Sequence, residues 1–187
     1  MSFYLGPGTI LLIILVIVGL WLVYKYNHLV TLKNRAKEAL SDMDVQSKRR
    51  YDLIPNLVET VKGYMGHEKT VLEDVTAARA SVSQGGPLER AKSEDALSGT
   101  LKTLFAVAEN YPDLKANQNF LELQKELSDT EDKMQAARRF YNATVRDLNT
   151  AIQTFPTNLI AQRLGFSEEK FFEVVNGVER EPVKVKF

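Results

Sequence analysis

Few residue types in this chain suit catalysis or metal binding. Its 187 residues include two histidines and no cysteine. That excludes disulfides, thiol nucleophiles and thiolate metal sites. His67-Glu68 begins like a zincin motif, which needs a second histidine four residues on so that both imidazoles face one metal. Position 71 is valine, so that chemistry fails. His28 stands alone, and zinc needs three or four ligands, so it is expected at a surface or interface. No phosphate-cradling glycine loop, dinucleotide fingerprint or nucleophile elbow occurs. Asn142-Ala143-Thr144 matches a glycosylation sequon but falls within a predicted helix on a predicted cytoplasmic face, and is taken as chance.

What remains is charge in apolar surroundings. Arg50 falls on the apolar period between Met43 and Ile54, and a guanidinium buried there must be paired. Glu109, Glu131 and Asp44 are the expected partners. Arg138-Arg139, beside Tyr141-Asn142, offers a second basic element. A pocket enzyme would have to cluster Arg50, Glu109, Tyr111, Glu131 and Asn142. Structural ion pairing is the preferred reading, because arginines inside helical bundles mostly serve packing and register. Lys48-Arg49-Arg50 could meet acidic headgroups, yet it lies roughly 35 Å along a helix from the apolar head, and a solvated face explains it. No catalytic, cofactor-binding or metal-binding residue is assigned, and no cofactor is expected.

These side chains must be positioned by helices. Residues 1–24 hold no charge, and all 24 basic and 24 acidic residues lie beyond them. From Pro7 to Tyr26 a helix would rise roughly 30 Å, the thickness of a hydrocarbon core. Pro7 suits a first helical turn, and Tyr4, Trp21, Tyr24 and Tyr26 sit where an aromatic belt would. No basic residue precedes Lys25 and no small-residue cleavage site follows, which argues for an uncleaved anchor rather than a signal peptide. Residues 25–50 carry seven Lys/Arg against three acids, so the positive-inside rule puts the N-terminus outside and the body in the cytoplasm. The expected domains are an anchor over 1–26 and a helical body over 27–187.

In the body, Leu29, Leu32, Ala36, Ala39, Leu40 and Met43 recur at helical spacing. Ile54, Leu57, Val58, Val61, Tyr64 and Met65 continue the period, and Val71, Leu72, Val75, Ala78 and Val82 extend it to a stop at Gly85-Gly86-Pro87. Pro55 predicts a kink or a helix restart. A second helix is expected over about residues 88–110, striped by Leu97, Leu101, Leu104, Phe105 and Ala108. A third, starting between 113 and 119, has Asn119 and Glu122 at capping-box spacing. It repeats Phe120, Leu127, Met134, Tyr141, Leu148 and Phe155 every seven residues, a seam for antiparallel packing. Asn142 and Asn149, one heptad apart, would specify helix register if buried. Pro156 ends this helix. Stub helices are expected over 158–164, closed by Gly165, and from Ser167 to about 175. The turn Asn176-Gly177 then leads to an alternating tail, Val183-Lys184-Val185-Lys186-Phe187. The fold class is all-α: an N-terminal transmembrane helix running into an antiparallel bundle of three long helices with short C-terminal ones.

Several blocks stand out: Tyr26-Asn27 with Leu29-Val30, Ser41-Asp42-Met43-Asp44-Val45-Gln46, and the long run from Lys48-Arg49-Arg50-Tyr51-Asp52-Leu53-Ile54-Pro55-Asn56 to Gly63-Tyr64. Glu109-Asn110-Tyr111-Pro112-Asp113, Thr130-Glu131, Arg138-Arg139-Phe140-Tyr141-Asn142 and Phe155-Pro156 continue the set. Together they resemble the LemA family of bacterial membrane proteins. The resemblance implies one N-terminal membrane helix, a helical bundle, an outside N-terminus and a bacterial cell membrane. It brings no catalytic residues.

The function expected is that of a membrane-anchored, non-enzymatic interaction or scaffold protein. The alternatives are a subunit of a membrane enzyme or protease-associated complex, or a self-assembling membrane organiser. The expected partners are the lipid bilayer, through the first helix, and unidentified proteins. Self-association stays open, and the zero net charge speaks against nucleic acid.

Overall fold

A computed structural model describes residues 6–66, 68–82 and 87–172. His67, the stop at 83–86 and the turn and tail after residue 172 lie outside the described residues. Among the described residues five α-helices form: α1 Pro7–Lys62, α2 Lys69–Ala80, α3 Pro87–Ala108, α4 Pro112–Lys115 and α5 Gln118–Gln153. No strand occurs among the described residues. The fold is an all-α bundle, as the periodicity requires. It divides into two compact units, one of residues 1–38 with 143–169 and one of residues 39–142 with 170–187.

The second unit is an antiparallel four-helix bundle. Asp44 meets Arg90, and Arg50 meets Ser98, so α1 and α3 run the same way. Ser98 with Glu131 and Asp95 with Arg138 set α5 against α3. Ile54, Leu57, Val61, Met65, Leu72, Val75, Leu97, Leu101, Leu104 and Leu127 share one buried cluster. These are the stripes anticipated for each helix, now facing one another.

The expected continuous first stretch is in fact two helices. α1 ends at Lys62, and residues 63–68 turn into α2. Glycines at 63 and 66 favour the break, yet Val61 and Met65 are both buried, so the apolar phase passes through the turn unbroken. The cap of α5 also differs from expectation. Asn117, not Asn119, accepts the Phe120 backbone N–H through its side chain at 3.0 Å, the geometry of an N-cap. The one-turn α4, between α3 and α5, was not anticipated.

Pro55 neither restarts nor ends α1, which is helical on both sides of it. A proline inside a helix leaves the carbonyl four residues back without its donor. That carbonyl belongs to Tyr51. Arg79 on α2 donates Nε–H to it at 3.0 Å and stacks its guanidinium 3.5 Å from the Tyr51 ring centroid. Arg79→Ala is expected to cost about 1–2 kcal/mol, the sum of one hydrogen bond and a partly exposed cation–π contact. In a Pro55→Ala background the carbonyl regains a helical N–H, and roughly half of that cost should vanish. Equal Arg79→Ala losses in both backgrounds, measured by thermal melts, would remove the coupling.

The first unit joins residues up to 38 of α1 to the end of α5 and the segment after it. Leu29, Leu32, Ala36, Val145, Leu148, Ile152, Ala161 and Phe166 are its buried apolar residues. α5 ends at Gln153, and a 3-10 turn over Thr157–Leu159 follows. The expected stub helix over 158–164 is therefore a run of tight turns, though Gly165 does close it. With φ of +82°, Gly165 lets Phe166 N–H reach Ala161 O at 3.0 Å and its own N–H reach Gln162 O at 3.1 Å. That is a Schellman ending, and an L side chain would be strained there. Residues 166–172 are not helical, so Ser167 starts no stub among the described residues.

Candidate functional site

Arg50 is the natural starting point, because its side chain is only 2% exposed. It leaves α1 between two carboxylates from different helices. Nη2 lies 2.9 Å from Glu131 Oε2 on α5 and donates to Ser98 Oγ at 2.8 Å. Nη1 lies 3.4 Å from Glu94 Oε2 on α3, whose side chain is 3% exposed. The Ser47 hydroxyl donates to the other oxygen of Glu94. Ser98 Oγ is 3.0 Å from both the Glu131 carboxylate and the Glu94 carbonyl, and Gln135 donates to Glu131 at 3.0 Å. Three helices are thereby tied through one guanidinium, whose planar fork suits carboxylates.

Burial raises the Glu131 carboxyl, but the charge of Arg50 and the hydrogen bonds from Gln135 and Ser98 together outweigh it. Its pKa is held below the ordinary glutamate value of about 4.5. The exposed Asp129 is likewise lowered, first by its hydrogen bond from Lys133. Ser98 beside Glu131 has the outline of a nucleophile with its base. A general base works best with a pKa near the operating pH, Glu131 is shifted the other way, and the Ser98 oxygen accepts from Arg50.

An open depression of about 670 Å³ adjoins the network. Leu101, Phe105 and Leu121 give it apolar wall, and Lys102, Lys125, Asp129 and Asp132 give it charges of both signs. Nearby, Arg138 is 6% exposed at its side chain and donates to Asp95 at 2.7 Å. Its guanidinium carbon lies 5.0 Å from the Phe172 ring centroid.

The expected constellation is only partly assembled. Arg50 and Glu131 meet, as anticipated. Glu109 does not join them: it is exposed at the end of α3 and pairs with Lys115. Asp44 pairs with Arg90. The Tyr111 hydroxyl sits 3.5 Å from Glu68. Tyr24 stacks on His28, with ring centroids 6.2 Å apart. Of the two paired arginines, Arg138 is buried and Arg139 exposed. Among the described residues, no group of three His, Asp or Glu could hold a metal ion. Glu94, Ser98 and Asp95 were missed by the sequence reading. Glu94 had a signal: it lies three residues before Leu97, on the stripe that Leu101, Leu104 and Ala108 continue.

Asn142 and Asn149 each grip the non-helical backbone after Gly165. In the first unit, Asn149 Nδ2 donates to Glu169 O at 2.9 Å, and Glu169 N–H donates back to Asn149 Oδ1 at 2.9 Å. In the second, Asn142 repeats this with Phe172, at 3.0 and 2.8 Å. The Tyr141 hydroxyl donates to Lys170 O at 2.9 Å.

The family model described as the LemA family matches residues 39–187. The chain is 32% identical over 171 residues to Protein LemA of Metamycoplasma hominis, covering 88% of this chain and 77% of that protein. It is 24% identical to the magnetosome protein MamQ of Magnetospirillum gryphiswaldense and 25% to MamQ 2 of Paramagnetospirillum magneticum. Each of these two matches covers 81% of this chain, and they span 65% and 66% of the two relatives' own lengths.

Proposed function

Since the chain belongs to the LemA family, we propose that it works as a membrane-anchored, non-enzymatic interaction protein that presents a helical bundle to protein partners. The observation that carries this reading is the pairing of the buried Arg50. Arg50 pairs with both Glu94 and Glu131 across three helices, and the Glu131 carboxyl beside Ser98 is held below its ordinary pKa, which supports a cohesive role. The anchor is the apolar start of α1, where residues 10–20 stand exposed and uncovered by the rest of the chain. Its hydropathy qualifies it as a candidate span. The seven basic residues that follow it support a cytoplasmic body with the N-terminus outside.

Two measurements test this. Protease added to intact spheroplasts is expected to leave the body whole; digestion would reverse the orientation and keep the anchor. Affinity purification of the full chain from native membranes is expected to retain defined proteins. Recovery of a hydrolytic or transfer activity that disappears with Ser98→Ala, while the fold persists, would overturn the non-enzymatic reading.

A further inference from the structure

The segment after α5 sits where the apolar helix meets the body. Phe166 packs edge-on against Tyr26, with ring centroids 5.7 Å apart, and the Lys33 ammonium lies 5.8 Å from the same ring. Tyr26 is the residue at which the apolar run ends. Along α1, buried positions begin at Leu29, one turn further on. Residues 154–165 lead from the end of α5 to Phe166, and so are held at the boundary between uncovered and covered helix.

This turn is firmly folded. Thr157, Ala161 and Phe166 are buried, and Leu159 N–H, Ala161 N–H and Phe166 N–H all reach carbonyls within it at 2.9–3.2 Å. From that frame three large apolar side chains point outward: Phe155 is 74% exposed, Leu159 64% and Leu164 38%. Single exposed apolar residues are ordinary, but three on one short turn are not. Composition gives an independent sign. Residues 148–162 contain no Asp, Glu, Lys or Arg, the longest such run anywhere after residue 24, and Arg163 follows directly.

We propose that the turn over 154–165 is a second membrane contact, with Phe155, Leu159 and Leu164 seated at the headgroup–acyl boundary of the leaflet from which α1 emerges. Bulky apolar side chains next to a long cationic one suit that layer, since the guanidinium of Arg163 can remain among phosphates while the others enter the chain region. The lipid surface is favoured over a protein occupant because the turn is continuous with the span through Tyr26 and Phe166. A protein covering it would itself have to lie in the headgroup layer. The body is then fixed to the bilayer at two points. The proposal rests on reading α1 as a membrane span.

The cysteine-free chain permits a single nitroxide at a chosen site. Full-length Leu159→Cys, Leu15→Cys and Glu38→Cys proteins would be labelled and reconstituted in vesicles of phosphatidylcholine and phosphatidylglycerol. Accessibility to oxygen and to a water-soluble nickel complex is then compared. Leu159 and Glu38 are both exposed, so labels there leave the fold intact. The oxygen-to-nickel ratio at 159 is expected to exceed that at 38 severalfold and to fall short of that at 15. A ratio at 159 matching that at 38 places the turn in water and overturns the proposal. Shielding at 159 from both reagents means that protein covers the turn, and overturns it equally. If position 15 itself proves nickel-accessible, the span reading fails first and takes the proposal with it.

Discussion

Replacing Arg50 by methionine is expected to lower the thermal midpoint of the detergent-solubilised full chain by on the order of 10 °C. Breaking a buried ion pair by removing one partner typically costs about 3–5 kcal/mol, because the other charge is left in a low-dielectric site. A chain of this size shifts by roughly 2–4 °C per kcal/mol. Here the stranded group is chiefly Glu94, whose side chain is 3% exposed, whereas Glu131 at 27% can recruit water. Arg50→Met with Glu94→Gln is therefore expected to recover most of the loss, and Arg50→Met with Glu131→Gln a smaller part. Glu109→Gln should show no coupling to Arg50, since Glu109 pairs with Lys115. Acid adds a further check. The folded protein holds Glu131 ionised more firmly than the unfolded chain does, so its contribution is complete above about pH 4.5 and fades as pH falls through the lower folded value. Glu131→Gln should flatten that acid limb. A midpoint unmoved by Arg50→Met, or an acid limb indifferent to Glu131, would mean that the network does not hold the bundle together.

The second large effect is expected at Tyr141. It sits on the seven-residue seam of α5, is 3% exposed, and donates its hydroxyl to the Lys170 carbonyl. Tyr141→Ala empties a ring-sized volume and should cost about 3–5 kcal/mol, as buried aromatic truncations do. Tyr141→Phe keeps the ring and should cost only about 1 kcal/mol for the lost hydrogen bond. Phe140→Ala, one residue away but 54% exposed, serves as the control and should leave the melt nearly unchanged. Equal losses at 140 and 141 would show that the heptad is not what buries this helix.

The α5 seam was legible because it repeats strictly: Phe120, Leu127, Met134, Tyr141 and Leu148 are all buried. Phe155 continues the arithmetic but falls past the helix end, where the period no longer has meaning. The turn after Lys62 was hidden for the opposite reason, since Val61 and Met65 keep helical phase through a segment that is not helical. Arg50 was found by the same logic that should have found Glu94, as both interrupt an apolar stripe. Of the expected partners Glu109, Glu131 and Asp44, only Glu131 meets Arg50, and Glu94 joins it from the stripe of α3. The segment after Gly165 had no period to read. It is held by side chains of another element, and no local pattern within it announces a tertiary hydrogen bond. The family resemblance matched the comparisons, while the purpose of Asn142 emerged only with the fold.

The two asparagine grips carry a consequence for how this stretch of chain can vary. Each recognises peptide groups alone, so it is blind to the identity of residues 169 and 172. The exposed side chain at 169 can be exchanged without touching the grip, proline excepted because the backbone N–H is a donor, whereas Phe172 is itself buried and lies against Arg138. Spacing has no such latitude. Inserting or deleting one residue between 169 and 172 puts the second asparagine opposite the wrong peptide. A single-codon deletion here should therefore do harm that exchanging the exposed side chain at 169 would not.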